Sequence, residues 1–377
     1  MTGRLAAAVL LFLLASFSCN RLPPAPLESA VELEVMEQAP EIAGRDGGYS
    51  ALLWGHSVWN FGDTVLSVPD VDGETWHHNS WSVTDDLDAA DGLTGFSETL
   101  DAAGAPAYFI APTPEEEAFN GAHRGDDCLE TPCGARWAVW PMQPVFDSAR
   151  SRALIFYELV YAEPGDFNFH TEGIGVAVWD RLGEPTQRPE ATPGHEHPTL
   201  LFFSRELGEP DFGLGSQILN EGGADMLYTF GQRQDGLEHP CVLGRVPVTE
   251  VLDRGAWTYW DGEGWSPDLG DARRVFNGSP ILTVEWNDYL GRWLAVYSQP
   301  ADNQVAMRTA PALTGPWSGA RLLFTADRKT SEGWVYDAIQ HAELAADGGK
   351  VIYVSHSRPT GEGWFDAELA LWQVVFE

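Results

Sequence analysis

The sequence predicts an all-β protein, and three observations support that fold class. Short runs rich in β-branched and aromatic residues recur from about residue 40 to the C-terminus, with clear examples at 153–157, 293–297 and 351–355. Many of these runs lie near a turn signal, and the chain contains 39 glycines and 25 prolines. Helical periodicity is almost absent, so we expect only short helical pieces, such as one near 248–254.

Length and composition restrict what the protein does. The 377 residues allow two domains or one large all-β domain, and 44% hydrophobic with 21% charged residues is globular composition. The 22 basic and 56 acidic side chains give a formal charge of −34, which opposes binding to nucleic acid, anionic lipid and polyanionic glycan. Neutral polysaccharides, cations and basic proteins remain as partners. The alternative is that the acidity mainly provides solubility.

The N-terminal segment predicts export from the cytoplasm. Arg4 precedes an apolar run, and small residues and Cys19 follow that run, which is the pattern of a signal peptide over residues 1–18. The apolar run is shorter than the roughly 20 residues that span a bilayer. No later stretch is long and apolar enough, so we expect no transmembrane helix in the mature protein.

The Leu-Ala-Ser-Phe-Ser-Cys sequence that ends at Cys19 resembles the lipobox of bacterial lipoproteins, which implies that Cys19 is lipidated. Residues 19–39 are then a lipidated N-terminus and a Pro-rich tether. This predicts a lipid-anchored protein of the bacterial cell envelope, in the periplasm or at the outer-membrane surface. The alternative is ordinary signal cleavage, which leaves a secreted protein with a free Cys19.

Three cysteines follow the signal segment. Cys128 and Cys133 lie in a polar, turn-rich stretch, and in an oxidising compartment we expect them to close a short disulfide. Zinc binding is the alternative, but the spacing is wide for a zinc knuckle and no second cysteine pair exists. Cys241 is expected to be a buried hydrophobic residue.

A four-stranded unit recurs along the chain. Strand pairs joined by tight polar turns, each followed by further strands, give five units, at 48–84, 143–179, 217–260, 280–324 and 339–376. This repeat predicts a five-bladed β-propeller over residues 40–377, preceded by the signal peptide and short tether. A two-domain β-sandwich is the alternative, because strand counting does not distinguish radial from layered packing.

Several motifs resemble a known family. These are Arg-Asp-Gly-Gly at 45–48, Phe-Gly-Asp-Thr at 61–64, His-Asn-Ser-Trp at 78–81 and Thr-Gly-Pro-Trp-Ser at 314–318. They are similar to segments of a bacterial family first catalogued as a domain of unknown function. Its members are five-bladed propellers, and some are endo-D-arabinanases that act on mycobacterial cell-wall arabinan. The resemblance covers most of the chain from about residue 40.

The resemblance implies that Asp46 and Asp63 are a catalytic pair. Glycoside hydrolysis needs one carboxylic acid to protonate the leaving oxygen and one carboxylate to activate water or attack carbon. Two antiparallel strands of one hairpin would bring both aspartates to the axial mouth. We take Asp63 as the base and Asp46 as the acid, without ranking their pKa values, and expect an inverting mechanism. The alternative is a structural role in turns, in which each carboxylate accepts hydrogen bonds from backbone amides.

Further polar and aromatic residues are candidates for substrate binding, although most such residues in propellers serve the blades themselves. The predicted set is Arg45, Trp54, Trp76, His78, Asn79, Glu158, Glu285, Trp334, Asp337 and His341. No metal ligands are assigned, and no cofactor is expected beyond an optional structural calcium ion.

Together these observations predict an endo-acting glycoside hydrolase, a monomer, that cleaves a neutral arabinan-like polysaccharide. The alternative is a noncatalytic propeller lipoprotein that binds glycan or protein at the cell surface. The presence of both aspartates favours the enzyme.

Overall fold

Five antiparallel sheets account for the chain, which confirms the predicted all-β five-bladed propeller. The computed structural model describes residues 25–165, 167–330, 333–361 and 367–377. The predicted signal peptide and Cys19 lie outside the described residues. Within those residues, none of the helices combines the length and the apolar composition needed to cross a bilayer.

The first two blades follow strand β1 (Leu27–Val35) along the chain. Blade one comprises β2 (Ile42–Leu53), β3 (His56–Leu66), β4 (Trp76–His77), β5 (Ser80–Thr84) and β6 (Ser97–Glu98). Helix α1 (Pro114–Ala122) precedes blade two, which comprises β7 (Arg136–Pro141), β8 (Val145–Asp147), β9 (Arg152–Ala162), β10 (Phe169–Trp179) and β11 (Leu200–Phe202). Strands β7 and β8 both pair with β9, so together they form one interrupted inner strand.

Blades three to five follow the short helix α2 (Ser204–Leu207). Blade three comprises β12 (Asp211–Glu221), β13 (Ala224–Gln232), β14 (Pro240–Pro247), β15 (Thr258–Trp260), β16 (Trp265–Ser266) and β17 (Phe276–Asn277). Blade four comprises β18 (Thr283–Asn287), β19 (Arg292–Ser298), β20 (Gln304–Ala310) and β21 (Arg321–Thr325). Blade five comprises β22 (Tyr336–Gln340), β23 (Val351–Pro359) and β24 (Ala367–Phe376). Short 3-10 helices lie at Val248–Glu250, Arg254–Ala256, Leu269–Asp271, Ala342–Leu344 and Asp347–Gly349.

The innermost strands form a closed ring. Strand β2 contacts β8, β8 contacts β12, β12 contacts β18, β18 contacts β22, and β22 returns to β2. This radial closure decides between the propeller and the layered sandwich. In each blade the second strand runs antiparallel to the first. We call the end of the ring where the innermost strands begin the upper end, and the opposite end the lower end.

The prediction that residues 19–39 form a tether is wrong for part of this segment. Residues Leu27–Val35 form β1, which pairs antiparallel with β24 and is the outermost strand of blade five. The sequence signal is the period-two alternation Val-Glu-Leu-Glu-Val at 31–35, which is typical of a strand but follows directly on the Pro-rich stretch. The propeller is therefore closed by the first strand of the described chain.

The core lies between neighbouring blades and is rich in aromatic side chains. Trp59, Trp179 and Trp257 are fully buried, and each packs against rings of its own or an adjacent blade. Most tryptophans of the protein thus stabilise the packing of the blades, as expected from the sequence, and few remain for contacts with a ligand.

Candidate active site

Asp46 lies near the upper end of β2, where the strand is irregular. The pairing of β2 with β3 shifts register on both sides of Gly47. Gly47 and Gly48 have φ values of 78° and 108°, which glycine adopts at little cost. Such bulges re-aim side chains, and here Oδ1 of Asp46 faces Gly62 of β3. A Cβ on Gly62 would lie only 2.7 Å from that oxygen, so a side chain there would displace the carboxylate.

Asp63 lies beside Asp46 on β3, as predicted for neighbouring strands of one hairpin. The backbone N–H of Asp63 donates to the Asp46 carboxylate. Tyr336 of β22 donates its hydroxyl hydrogen to Oδ2 of Asp46 at 3.1 Å. Trp140 of β7 donates its indole N–H to Oδ1 of Asp63 at 3.2 Å. Blades one, two and five therefore hold the two carboxyl groups in place.

The two aspartates have different pKa values. Burial raises the pKa of Asp46 to about 6, and the hydrogen bonds from Tyr336 and from the Asp63 backbone oppose this rise. Burial and the charge of Asp46 raise the pKa of Asp63 to about 8, against the opposing effects of Trp140 and Arg136. At neutral pH the Asp46 carboxyl group is thus mostly ionised, and the Asp63 carboxyl group mostly carries its proton.

Three more carboxyl groups lie at the same end of the ring. Burial and the charge of Asp211 raise the pKa of Glu158 to about 8, and burial raises that of Asp211 to about 6. Asp337 has its pKa raised well above the usual value by burial and by the charges of Asp46 and Glu158. Asp337 is thus coupled electrostatically to one member of the Asp46–Asp63 pair and to one member of the Glu158–Asp211 pair.

Glu285, a further predicted binding residue, lies deeper on the axis. Its two carboxylate oxygens accept hydrogen bonds from Gln143 at 2.8 Å and from Gln217 at 3.0 Å. Gln217 is six residues beyond Asp211 on β12, which places Glu285 inside the ring rather than at the mouth. Burial raises the pKa of Glu285 to about 7. Across the described ranges, no three His, Cys, Asp or Glu side chains are spaced to hold a metal ion.

The prediction that Arg45 binds substrate is wrong, because its guanidinium is buried and already paired. Arg45 forms two hydrogen bonds to the carboxylate of Glu98, at 3.1 and 3.2 Å, and a third to Gln38. Its guanidinium carbon also lies 3.5 Å from the centroid of the Phe61 ring. Arg45 links the inner strand of blade one to the outermost one.

Asn79 is also a structural residue. Its amide donates to the carbonyls of Ile110 and Val139, and its oxygen accepts from the backbone N–H groups of Phe109 and Ile110. These four bonds use the hydrogen-bonding capacity of a side chain that is fully buried. Asn79 therefore ties the connection between blades one and two to the upper part of both blades and has no group left for a sugar.

His341 lies in the interior between blades one and five. Its Nδ1 is 2.6 Å from the hydroxyl of Ser50, its Nε2 is 2.8 Å from the hydroxyl of Ser355, and its ring stacks on Trp59 at 4.1 Å. Burial lowers the pKa of His341 to about 3, so the imidazole is neutral near pH 7. The prediction of a binding role fails because both ring nitrogens are occupied.

The three tryptophans predicted to bind substrate lie in different places. Trp54 is in the lower turn between β2 and β3, where it donates to the carbonyl of Ser151 and packs edge-on against Trp179, so the prediction that it binds substrate at the mouth is wrong. Trp76 is at the upper end of blade one, beneath the guanidinium of Arg136. Trp334, just before β22, stacks on Phe167 with ring centroids 5.8 Å apart.

His78 is buried beside Trp76, with ring centroids 6.2 Å apart. Its Nδ1 lies 3.2 Å from the carbonyl oxygen of Val139. Its Nε2 is buried and has no partner within the described residues. Burial lowers the pKa of His78 to about 3, so this side chain is uncharged near neutral pH.

Three residues of the site were not predicted from the sequence. Trp140 and Tyr336 form hydrogen bonds to the aspartates, and the charge of Asp211 acts on Glu158. Each comes from a blade other than blade one, so no local spacing links them to Asp46 or Asp63. A signal for Asp211 and Tyr336 did exist. Both occupy the first position of an innermost strand, and this is the position that the ring brings to the upper end.

Cys128 and Cys133 are joined by a disulfide, with Cα atoms 5.4 Å apart, in the segment between α1 and β7. Cys241 is a free, buried cysteine, and burial raises the pKa of its thiol to about 12.

Part of the chain matches the sequence model of a known protein family. Residues 179–358 match the model of a family described as a domain of unknown function, DUF4185. The match covers a little under half of the chain and confirms the family resemblance expected from the motifs. It includes Asp211, Glu285 and Asp337, whereas Asp46 and Asp63 precede it. No curated protein is significantly similar in sequence.

Solved structures share the fold at low sequence identity. A protein from Bacteroides ovatus, provisionally named a hydrolase, is 14% identical with a TM-score of 0.55, over 89% of this chain and 87% of that one. A family 117 glycoside hydrolase from the marine bacterium Zobellia galactanivorans is 12% identical with a TM-score of 0.50, over 92% and 90% of the two chains. At these identities the likeness concerns the fold.

Proposed function

We propose that the protein is a glycoside hydrolase with Asp46 and Asp63 as its acid–base pair. The observation that carries this proposal is the pair itself: two half-buried carboxyl groups, adjacent on one hairpin, whose pKa values are about 6 and about 8. Two titratable groups whose environments separate their pKa values around neutral pH are suited to act as base and acid in one reaction. The propeller neighbour that is named a glycoside hydrolase is consistent with this function.

The order of the pKa values favours the opposite roles to those expected from sequence. Asp46, with the lower pKa, is the base that removes a proton from water as the water oxygen attacks the anomeric carbon. Asp63, with the higher pKa, is the acid that protonates the departing glycosidic oxygen. Tyr336 orients the base and Trp140 the acid, each through a hydrogen bond to one carboxylate oxygen.

We propose inversion of the anomeric configuration, as the sequence analysis expected. An inverting enzyme holds its carboxyl groups about 6.5 to 9.5 Å apart to admit a water molecule, whereas a retaining enzyme holds them about 5 to 5.5 Å apart. Proton NMR of the first product decides between the two outcomes, because the anomer released first differs.

The proposed substrate is a largely neutral, arabinan-like polysaccharide, cleaved at internal linkages. The Arg-Asp-Gly-Gly and Phe-Gly-Asp-Thr motifs resemble those of a family that includes endo-D-arabinanases, and this resemblance supports arabinan as the substrate. The net charge of −34 and the ionised carboxylates of Asp46 and Asp211 at the upper end support a polymer without dense negative charge, because they repel a polyanion. Trp76 and Trp334 at that end are only half-buried, which leaves aromatic surface for sugar rings.

An activity screen tests the proposal. Wild-type protein and the Asp46→Asn/Asp63→Asn double variant are incubated with neutral furanoside and pyranoside polysaccharides, and the products are sized by chromatography. We expect wild type to release oligosaccharides of mixed length from arabinan and the double variant to release none. Binding of a glycan with no cleavage by wild type would instead favour the noncatalytic glycan-binding propeller.

We further propose that the protein is lipid-anchored to the cell envelope through Cys19, on the basis of the lipobox-like sequence. Detergent phase partitioning of the full-length protein expressed in a bacterial host tests this. Wild type should enter the detergent phase, and Cys19→Ala should stay in the aqueous phase. An unmodified Cys19 thiol in wild-type protein that is soluble without detergent contradicts the anchor.

A further inference from the structure

Arg136 differs from three other buried or half-buried arginines of the propeller, each of which has a carboxylate partner. Arg45 pairs with Glu98, Arg188 pairs with Glu116, and Arg254 pairs with Glu209. The guanidinium of Arg136, by contrast, has no ion pair and no hydrogen bond within the described part of the chain, and its Nε is buried. An unmatched buried donor of this kind is unfavourable, so native proteins seldom leave one without a ligand or water.

Two other buried groups without partners lie beside Arg136. Its guanidinium carbon is 4.2 Å from the Trp76 ring centroid, and the indole N–H of Trp76 is buried and unpaired. His78, 6.2 Å from Trp76 between ring centroids, is 1% exposed and has an unpaired Nε2. One patch of the upper rim therefore combines a cation that has no counter-ion and an unpaired indole N–H, beside the neutral imidazole of His78.

The strand geometry relates this patch to the proposed catalytic pair. Arg136 and Trp140 are four residues apart on β7, so their side chains leave the same face of the strand. Trp140 holds Asp63, and Arg136 is about 13 Å nearer the upper end at roughly 3.3 Å per residue. The charge of Arg136 also lowers the pKa of Asp63, which agrees with this placement.

We propose that Arg136, with the indole N–H of Trp76, forms a subsite that binds a carboxylate group carried by the glycan. This inference rests on the proposed function. It specifies the substrate further, as a largely neutral polysaccharide that carries a few carboxylate substituents. A guanidinium presents a planar fork of donors that matches a carboxylate. A singly charged carboxylate also suits a mouth with five other carboxyl groups better than a doubly charged phosphate does.

A binding measurement tests the subsite without turnover. The probes are a neutral arabino-oligosaccharide and the same oligosaccharide with one primary hydroxyl oxidised to a carboxylate. Calorimetry with the full-length Asp46→Asn/Asp63→Asn protein should give about tenfold tighter binding of the oxidised probe, as expected for one partly buried charge-assisted pair. The preference should shrink between 0.05 and 0.5 M salt, because screening weakens a pair at the rim.

Variants of Arg136 in the same background identify the group responsible. Arg136→Gln should bind both probes equally, and Arg136→Lys, which keeps the charge but loses the fork, should show a reduced preference. Arg181→Gln is the matched control, since Arg181 is exposed and remote, and it should keep the full preference. Circular dichroism checks folding, and if Arg136→Gln does not fold, the lysine variant decides. Equal binding of the two probes, or binding of neither, overturns the subsite.

The failure of this inference and that of the proposed function are distinguishable. Wild type that cleaves neutral arabinan, while the inactive protein shows no preference for the oxidised probe, refutes the subsite alone. Protein that prefers the oxidised probe through Arg136 but cleaves no polysaccharide refutes the glycoside hydrolase and leaves a glycan-binding subsite.

Discussion

The hydroxyl of Tyr336 donates a hydrogen bond to Oδ2 of Asp46 at 3.1 Å, across a separation of 290 residues in the chain. Asp46 is on the innermost strand of the first blade, and Tyr336 is on that of the last. The contact exists only because the ring closes. Whatever disturbs the junction of blades one and five therefore also disturbs the ionisation of the proposed base.

Changing Tyr336 to Phe should shift the acidic side of the pH–rate profile to higher pH. The hydrogen bond from Tyr336 lowers the pKa of Asp46 by stabilising its ionised form, so its loss raises that pKa. Rates measured from pH 4 to 10 show the shift. Tyr289→Phe, which removes a hydroxyl at the lower end, is the control and should leave the profile unchanged. An identical acidic limb in Tyr336→Phe would argue against Asp46 as the base.

Turnover of wild type should follow a bell-shaped pH profile centred near pH 7. Asp46 must be ionised to act as base, so activity rises as the pH passes its pKa of about 6. Asp63 must be protonated to act as acid, so activity falls as the pH passes its pKa of about 8. Measurement of kcat/KM in overlapping buffers gives both values for the coupled pair. A flat profile between pH 5 and 9 would contradict these roles.

Asp46→Asn and Asp63→Asn should each reduce kcat by at least ~100-fold, since each removes a group that transfers a proton in the transition state. Asparagine keeps the size of the side chain, so circular dichroism should show an intact fold. Asp72→Asn, in an exposed turn of the same blade, is the control and should keep wild-type activity. Retention of wild-type turnover by the folded double variant would exclude this pair as catalytic.

Asn79→Ala should destabilise the fold by about 3 kcal/mol. The substitution removes four buried hydrogen bonds and leaves backbone groups of Phe109 and Ile110 without these partners. Urea unfolding followed by tryptophan fluorescence measures the loss. The exposed Asn220→Ala is the control, with an expected change below about 1 kcal/mol. A stable Asn79→Ala protein that has lost glycan binding would instead restore the predicted binding role.

Removal of β1 should destabilise blade five far more than removal of the residues before it. Without β1, the edge of β24 is exposed and the buried guanidinium of Arg358 loses Glu32, whose oxygens lie 2.8 and 2.9 Å away. Proteins starting at residue 25 and at residue 36 are compared by thermal unfolding. If the shorter one does not fold, Glu32→Gln isolates the ion pair, with an expected loss of about 1 to 2 kcal/mol. Equal melting temperatures of the two truncated proteins would show that β1 is dispensable.

Local patterns in the sequence were enough to predict the blades and the positions of Asp46 and Asp63. Strand alternation and turn residues act over a few positions, and one hairpin is enough to bring the two aspartates together. The contributions of Trp140, Asp211 and Tyr336 depend on ring closure, which no local pattern encodes.

The wrong assignments at Arg45, Asn79 and His341 have a common cause. A polar residue that forms hydrogen bonds to buried backbone or side-chain groups cannot be distinguished in the sequence from a polar residue that binds a ligand. Only the partners distinguish the two cases, and these partners come from other strands. The pKa order of Asp46 and Asp63 was inaccessible for a related reason, because burial and the contacts of Tyr336, Trp140 and Arg136 set it.

Strand β1 also fixes how the propeller would face a surface that holds it. Leu27 pairs with Phe376 at the lower end of blade five, and β1 runs from there towards the upper end. The chain therefore enters the described structure on the face opposite the five carboxyl groups. A membrane that held the protein by the residues before Ala25 would lie beneath the lower end of the ring. The mouth would then point away from the bilayer, so a polymer could reach Asp46 and Asp63 without passing between protein and lipid.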